Sequence, residues 1–273
     1  MLAIPNLSQA QGVQVVGAGA SFPAPLYQRW ATDATPIIGT RINYQSIGSG
    51  AGVNQIRART VTFGATDAPL EDPGDLYQFP TVQGEVVAAV NIPGVRAINL
   101  TMDLINKIYK GEIKRWGEPA IVALNQGVRL PNLPITPVYR ADGSGTTFIW
   151  TRAMVAAGGW SDSGTSINWP VGQGARGNEG VASIVSRTLG AIGYIELVFA
   201  KVNNISYAKL DVDVKGRTFI LMPREPRDRA THDKAVEFFE YCFTRGQDVA
   251  RRMFYEPLAD NEYASIIADL KKI

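Results

Sequence analysis

The sequence predicts an α/β protein, and three observations carry that prediction. Strands and helices alternate from Val13 to about Leu70, the pattern of a parallel sheet with crossover helices. Three separate stretches read strand, glycine- and hydroxyl-rich turn, helix. Hydrophobic residues make up 45% of the 273-residue chain and charged ones only 19%, enough apolar surface for a substantial core in one large domain or two of ordinary size.

The elements follow in order. Val13 to Val16 is a first strand, and Gly17-Ala18-Gly19-Ala20-Ser21-Phe22-Pro23-Ala24-Pro25 turns it into a helix marked by Leu26, Tyr27 and Trp30. Proline suits the first helical turn, where its missing N–H would be unpaired anyway. The alternating run Arg41 to Gln45 is a second strand; Gly48-Ser49-Gly50-Ala51-Gly52 leads from it to a helix with Val53 and Ile56. Phe63 to Thr66 is a short third strand, followed by Asp67-Ala68-Pro69, and Pro69 keeps Ala68 extended. Gln83 to Ile92 is a long apolar strand, long enough to cross between two lobes. Thr101 to Tyr109 is an amphipathic helix. Pro131, Pro134 and Pro137 punctuate a loop before a strand that ends at Arg140. Gly172 to Gly180 is another glycine-rich turn, with Asn178 the N-cap of a helix to about Arg187. Thr218 to Met222 is a return strand, and from Arg229 the pattern is helical.

The richest turn is Tyr139-Arg140-Ala141-Asp142-Gly143-Ser144-Gly145-Thr146-Thr147. Its glycines let consecutive N–H groups turn inward as an anion nest. A hydroxyl at the helix start caps free N–H groups, and the terminus itself favours negative charge. Arg140 adds a planar fork of donors suited to tetrahedral oxyanions. Locally the run also fits a capped helix after a turn. With the Ser21 and Ser49 loops, it suggests several helix N-termini pointing at one anion.

Asp67 looks out of place there, and locally it reads as an Asx turn before Pro69. A carboxylate becomes useful if the anion carries a proton, for then Asp67 is the one acceptor among many donors.

Composition and motifs exclude other classes. A net charge of +2 leaves no electrostatic footprint for nucleic acid or an anionic membrane. No run approaches the ~18 apolar residues of a membrane-spanning helix. Cys242, the single cysteine, reads as a core thiol beside Phe238, Phe239 and Phe243. One histidine and one cysteine argue against a zinc site. His232, far in sequence from the turns, reads as a solvated helix residue. There is no G-x-S-x-G and no Walker phosphate loop, and Gly17-Ala18-Gly19 is followed by Ala20, Ser21 and Phe22, which fails G-x-G-x-x-G at that turn, so no catalytic residue is assigned. Trp116 and Trp150 read as core, Tyr139 points away from Arg140, and Arg224, Arg227 and Arg229 form a solvated surface. A phosphotransfer or phosphatase-like enzyme using Ser144 or Ser49 is the alternative from another class.

The stretches GAGASFPAP, INYQSIGSGAGVNQI, FGATDAPL, QFPTVQGEVVAAVNIPG, IYKGEIKRW, RADGSGTTF, INWPVGQGARGNEGVA, GAIGYIE and TFILM occur in one order over most of residues 13–222. Together they resemble the periplasmic phosphate-binding proteins of high-affinity phosphate ABC transporters. The resemblance implies a type II periplasmic binding protein fold, two α/β lobes joined by a two-segment hinge. Residues 1–86 with 219–273 would form a discontinuous N-terminal lobe, and 87–218 the second. It implies a phosphate site of Ser21, Phe22, Ser49, Asp67, Arg140, Ser144, Gly145 and Thr146, with Asp142 holding Arg140. It also implies no enzymatic activity, no cofactor, no metal, a monomer, a membrane permease as partner, and a periplasmic or otherwise extracytoplasmic location. Met1 to Gln14 lacks the basic and long apolar regions of a signal peptide, so a mature region with an initiating Met is expected. Another tetrahedral oxyanion on the same fold is the closest alternative. Two departures stand out. Family members usually carry a longer stretch between Leu210 and Thr218, and some have threonine where this chain has Ser21.

Overall fold

A computed structural model describes residues 13–273; the expected mature N-terminus lies almost wholly outside them. The chain opens with β1 (Gln14–Gly19), α1 (Ala24–Ile38), β2 (Arg41–Ser46), α2 (Ser49–Arg57) and β3 (Phe63–Thr66). Pro23 caps α1, a second proline lies in its first turn, and Gly39 ends it in the left-handed conformation. Next come β4 (Leu76–Val90), β5 (Asn99–Leu100), α3 (Met102–Tyr109), capped by Thr101, α4 (Pro119–Leu124), β6 (Thr136–Arg140) and α5 (Gly145–Ala156). Then follow β7 (Gln173–Ala175), α6 (Gly177–Arg187), β8 (Ala191–Glu196), α7 (Leu197–Val202), β9 (Ser206–Tyr207), β10 (Lys209–Leu210) and β11 (Lys215–Pro223). The chain closes with α8 (Arg229–Thr244), α9 (Gln247–Arg252), β12 (Glu256–Pro257) and α10 (Asp260–Leu270).

The main sheet is ordered β2-β1-β3-β11-β4-β8-β6-β7, with β9 and β12 added along β4. β1 lies parallel to β2 and β3, and β6 lies parallel to β8 and β7. Antiparallel β11 and β4 separate these two parallel sets. β4 serves both sides: Leu76 to Glu85 pair with β11, and Val86 to Val90 pair with β8.

The strand expected at Gln83 therefore starts seven residues earlier, at Leu76. Pro80 hid that half, because proline inside a run argues against a strand. Here it sits at a register shift: Val82 pairs with Thr218 and Pro80 with Phe219, leaving Thr81 as the extra residue of a bulge.

Each parallel set has its own aromatic core. On one side Tyr27, Trp30, Tyr44, Phe63, Phe79, Phe238 and Phe239 pack around the buried Cys242. On the other, Tyr109, Trp116, Trp150 and Tyr194 are buried, with Trp169 against them. Tyr139 stacks on Trp169, away from Arg140. Arg224, Arg227 and Arg229 are exposed. His232 is a correction: it is buried, because α10 packs across α8 and brings Leu270 to it. Burial, with Arg229 nearby, holds its pKa below the usual histidine value, so the ring is neutral.

Candidate functional site

In open parallel sheets ligand sites form beyond the carboxyl ends of the strands. Both parallel sets obey this, and their carboxyl ends meet. Ser21 follows β1, Ser49 follows β2 and Asp67 follows β3. From the other side come Arg140 at the end of β6, the Ser144 turn after it, and the start of α6 after β7.

Glycine permits the close meeting. A Cβ on Gly145 would fall 2.5 Å from Asp67 Cβ, so the first residue of α5 lies directly against the Asp67 backbone. Gly48 has φ 89°, and a Cβ there would fall 2.4 Å from an Asp142 carboxylate oxygen. The Gly50 N–H donates to the Gly143 carbonyl at 2.9 Å across the cleft.

Arg140 is 4% exposed and held rigidly. Its Nε and Nη2 donate to the two carboxylate oxygens of Asp142 at 2.7 and 2.6 Å, a bidentate pair made within one turn. Burial acts to raise the Asp142 pKa, but Arg140 and the Gly177 N–H outweigh it and hold it below the usual carboxylate range. Arg140 Nη1 donates to Thr146 Oγ1 at 3.4 Å.

The hydroxyls are all buried. Ser144 Oγ caps α5 by accepting from the Thr147 N–H at 3.0 Å. Ser49 Oγ accepts from the Gly145 N–H at 3.0 Å and the Asp67 N–H at 3.3 Å. The Gly145 N–H, expected to face an anion, is thus turned onto Ser49 here. Ser21 and Phe22 are fully buried, and among the described residues no acceptor takes either backbone N–H. The Phe22 carbonyl accepts from the Tyr255 hydroxyl at 2.8 Å.

Asp67 is 2% exposed, and its Oδ1 has no hydrogen-bond partner among the described residues. The Asx-turn role is taken by its neighbour: Thr66 Oγ1 accepts from the Ala68 N–H at 3.1 Å and donates to the Ala68 carbonyl at 2.8 Å. Burial raises the Asp67 pKa to about 7, with Thr218, Arg140 and Ser49 only partly opposing it. A buried carboxyl poised near neutrality, with an oxygen left without a partner among the described residues, suits a ligand that brings its own proton.

Sequence reasoning missed one central residue. Asn178 is not the cap of α6; Arg176 is. Asn178 lies one residue inside the helix, fully buried, and its amide reaches Ser21 and Thr146. Only its place in a glycine-rich turn hinted at this. Among the described residues no group of three or more His, Cys, Asp or Glu could hold a metal ion.

Residues 6–266 match the family model of the PBP superfamily domain. The phosphate-binding protein PstS of Xylella fastidiosa (strain Temecula1) is 36% identical, over 94% of this chain and 85% of its own. Its counterpart in Haemophilus influenzae is 34% identical, over 99% and 96% respectively. The first alignment runs over 308 positions, more than the 273 residues of this chain, so that relative carries segments absent here. A phosphate ABC transporter substrate-binding protein from Clostridium perfringens, solved with phosphate bound, shares the fold. Its TM-score is 0.73, at 20% identity, covering 90% of this chain and all of that one.

Proposed function

The chain belongs to the PstS phosphate-binding proteins of the PBP superfamily, and from that premise we propose that it captures inorganic phosphate between its two halves for uptake by an ABC transporter. One observation carries the reading: buried donors from both sides of a cleft lie about the buried carboxylate of Asp67, whose Oδ1 has no partner among the described residues. The donors are the N–H groups of Ser21 and Phe22, the hydroxyls of Ser21, Ser49, Ser144 and Thr146, and Arg140. Gly145 joins them when its N–H leaves Ser49 Oγ for the ligand.

The lobes of this reading are residues 1–86 with 219–273, and 87–218, hinged where β4 and β11 run between them. Ligand contacts on both lobes favour the closed state, as a hinge mechanism needs. The protein works as a monomer outside the cytoplasmic membrane and hands phosphate to a membrane permease. It performs no chemistry on the ligand. None of the described helices is long and apolar enough to cross a membrane.

Calorimetric titration with phosphate, arsenate and sulfate tests the reading. Strong heat with phosphate and none with sulfate is expected. Sulfate binding as tightly as phosphate would replace this reading with a general oxyanion carrier. Turnover of a phosphate ester would replace it with an enzyme.

A further inference from the structure

We propose that Asn178 is a positioning residue that wires the hydroxyls of Ser21 and Thr146 as obligate donors to the ligand, one from each side of the cleft. The inference rests on the phosphate reading above and names what fixes its donors.

The amide orientation is decided by its partners. Asn178 Oδ1 accepts from the Glu196 N–H at 2.8 Å, so the amide cannot be flipped without facing N–H against NH₂. Its Nδ2 then has two hydrogens to give. One goes to Ser21 Oγ at 2.9 Å, and the other to Thr146 Oγ1 at 3.1 Å. The backbone N–H of Asn178 also donates to Ser21 Oγ, at 3.0 Å.

A hydroxyl has two lone pairs and one hydrogen. Ser21 Oγ accepts twice, from the amide and the N–H of Asn178. Thr146 Oγ1 also accepts twice, from Asn178 and from Arg140 Nη1. Each oxygen has spent its acceptor capacity on the protein. Its single hydrogen is left, and no protein acceptor among the described residues takes it from Ser21. Such a hydroxyl gives a hydrogen bond to an anion and cannot accept one. A free rotor would have to be ordered on binding; this one is ordered beforehand. Asn178 and Thr146 stand on one side and Ser21 on the other, so the same amide also bonds across the cleft.

The test is a double-mutant cycle read by phosphate titration. Asn178→Ala should weaken phosphate binding by roughly 10–100-fold, the scale of lost charge-assisted hydrogen bonds. In a Ser21→Ala/Thr146→Val background the same change should cost less than about threefold, because no hydroxyl remains to be oriented. Asn178→Asp should be worse than Asn178→Ala in the parent: a carboxylate accepts where the amide donates, and turns both hydroxyls away from the ligand. Asn178→Asp also keeps the acceptor for the Glu196 N–H, so it carries the cycle if the alanine variant does not fold. A merely structural role would lower affinity by the same factor in both backgrounds, and that additive result would overturn the proposal. So would wild-type affinity in Asn178→Asp. Absence of phosphate binding in the unmutated protein is a separate outcome, and it would sink the functional reading itself.

Discussion

The two sides of the cleft are built from different chemistry. The side formed by β1, β2 and β3 contributes hydroxyls, two backbone N–H groups and Asp67, and no cation. The side formed by β6, β7, α5 and α6 contributes Arg140, its partner Asp142, a helix N-terminus and the Asn178 amide. Donors come from both, but the positive charge comes from one and the lone acceptor from the other. This teaches that attraction and discrimination are separable here. On the proposed reading, one side would attract any tetrahedral anion, the other would ask whether it carries a proton, and closure would make both conditions hold at once.

The largest expected effect comes from removing the cation. Arg140→Ala should weaken phosphate binding by about 3–5 kcal/mol, because it deletes a buried charged donor and strands Asp142. Titration calorimetry reads the loss; unchanged affinity would remove Arg140 from the site and collapse the distinction between the sides.

Asp67→Asn tests the other side. Phosphate near neutral pH keeps a proton that Asp67 would accept on the proposed reading, while sulfate would meet the carboxylate without one. The variant should therefore begin to bind sulfate, and the preference for phosphate should narrow. If sulfate stays excluded while phosphate still binds, discrimination lies elsewhere. Stability gives a second readout on protein freed of phosphate. The Asp67 pKa is raised to about 7 by burial, so between about pH 4 and 7 the native state holds a proton that the unfolded chain releases. Wild-type stability should fall as pH rises through that window and level off above it. Asp67→Asn lacks this penalty. Its advantage over wild type should grow to roughly 2–4 kcal/mol by pH 8 in urea unfolding. Burial also holds the Glu196 pKa well above the ordinary value, and the Asp67 charge adds to that rise, so removing it relieves Glu196 as well and adds to the advantage of Asp67→Asn at high pH.

The smallest effect is geometric. If the sides are separate bodies hinged at β4 and β11, small-angle scattering should give a slightly larger radius of gyration for phosphate-free protein than for protein with phosphate. Superimposable profiles would favour one fixed body.

What was legible in the sequence was local. The turns at Ser21, Ser49 and Ser144 each follow their strand within a few residues, so glycines, hydroxyls and the following helix could be read together. The α/β class followed from the same alternation. What was hidden depended on distant partners. The first half of β4 looks broken by Pro80, and only the pairing with Thr218 and Phe219 turns that proline into part of a bulge. Asn178 resembles a cap until Ser21, 157 residues away, and Thr146, 32 residues away, are brought beside it. His232 looks solvated until α10 lies across it. Periodicity reports which face of an element is apolar, not which element will cover it.

The pairing of Arg140 with Asp142 has a consequence for how phosphate arrives. The guanidinium enters the site with its charge already matched, and Asp67 adds no positive charge. The side chains around the ligand therefore sum to no net attraction at a distance. Long-range steering draws anions toward uncompensated charge and fades as salt screens it. A site made of short, oriented dipoles lacks that reach and also lacks that sensitivity. On the proposed reading, capture would be set by collision and fit, and phosphate affinity measured by titration should change little between low and high salt.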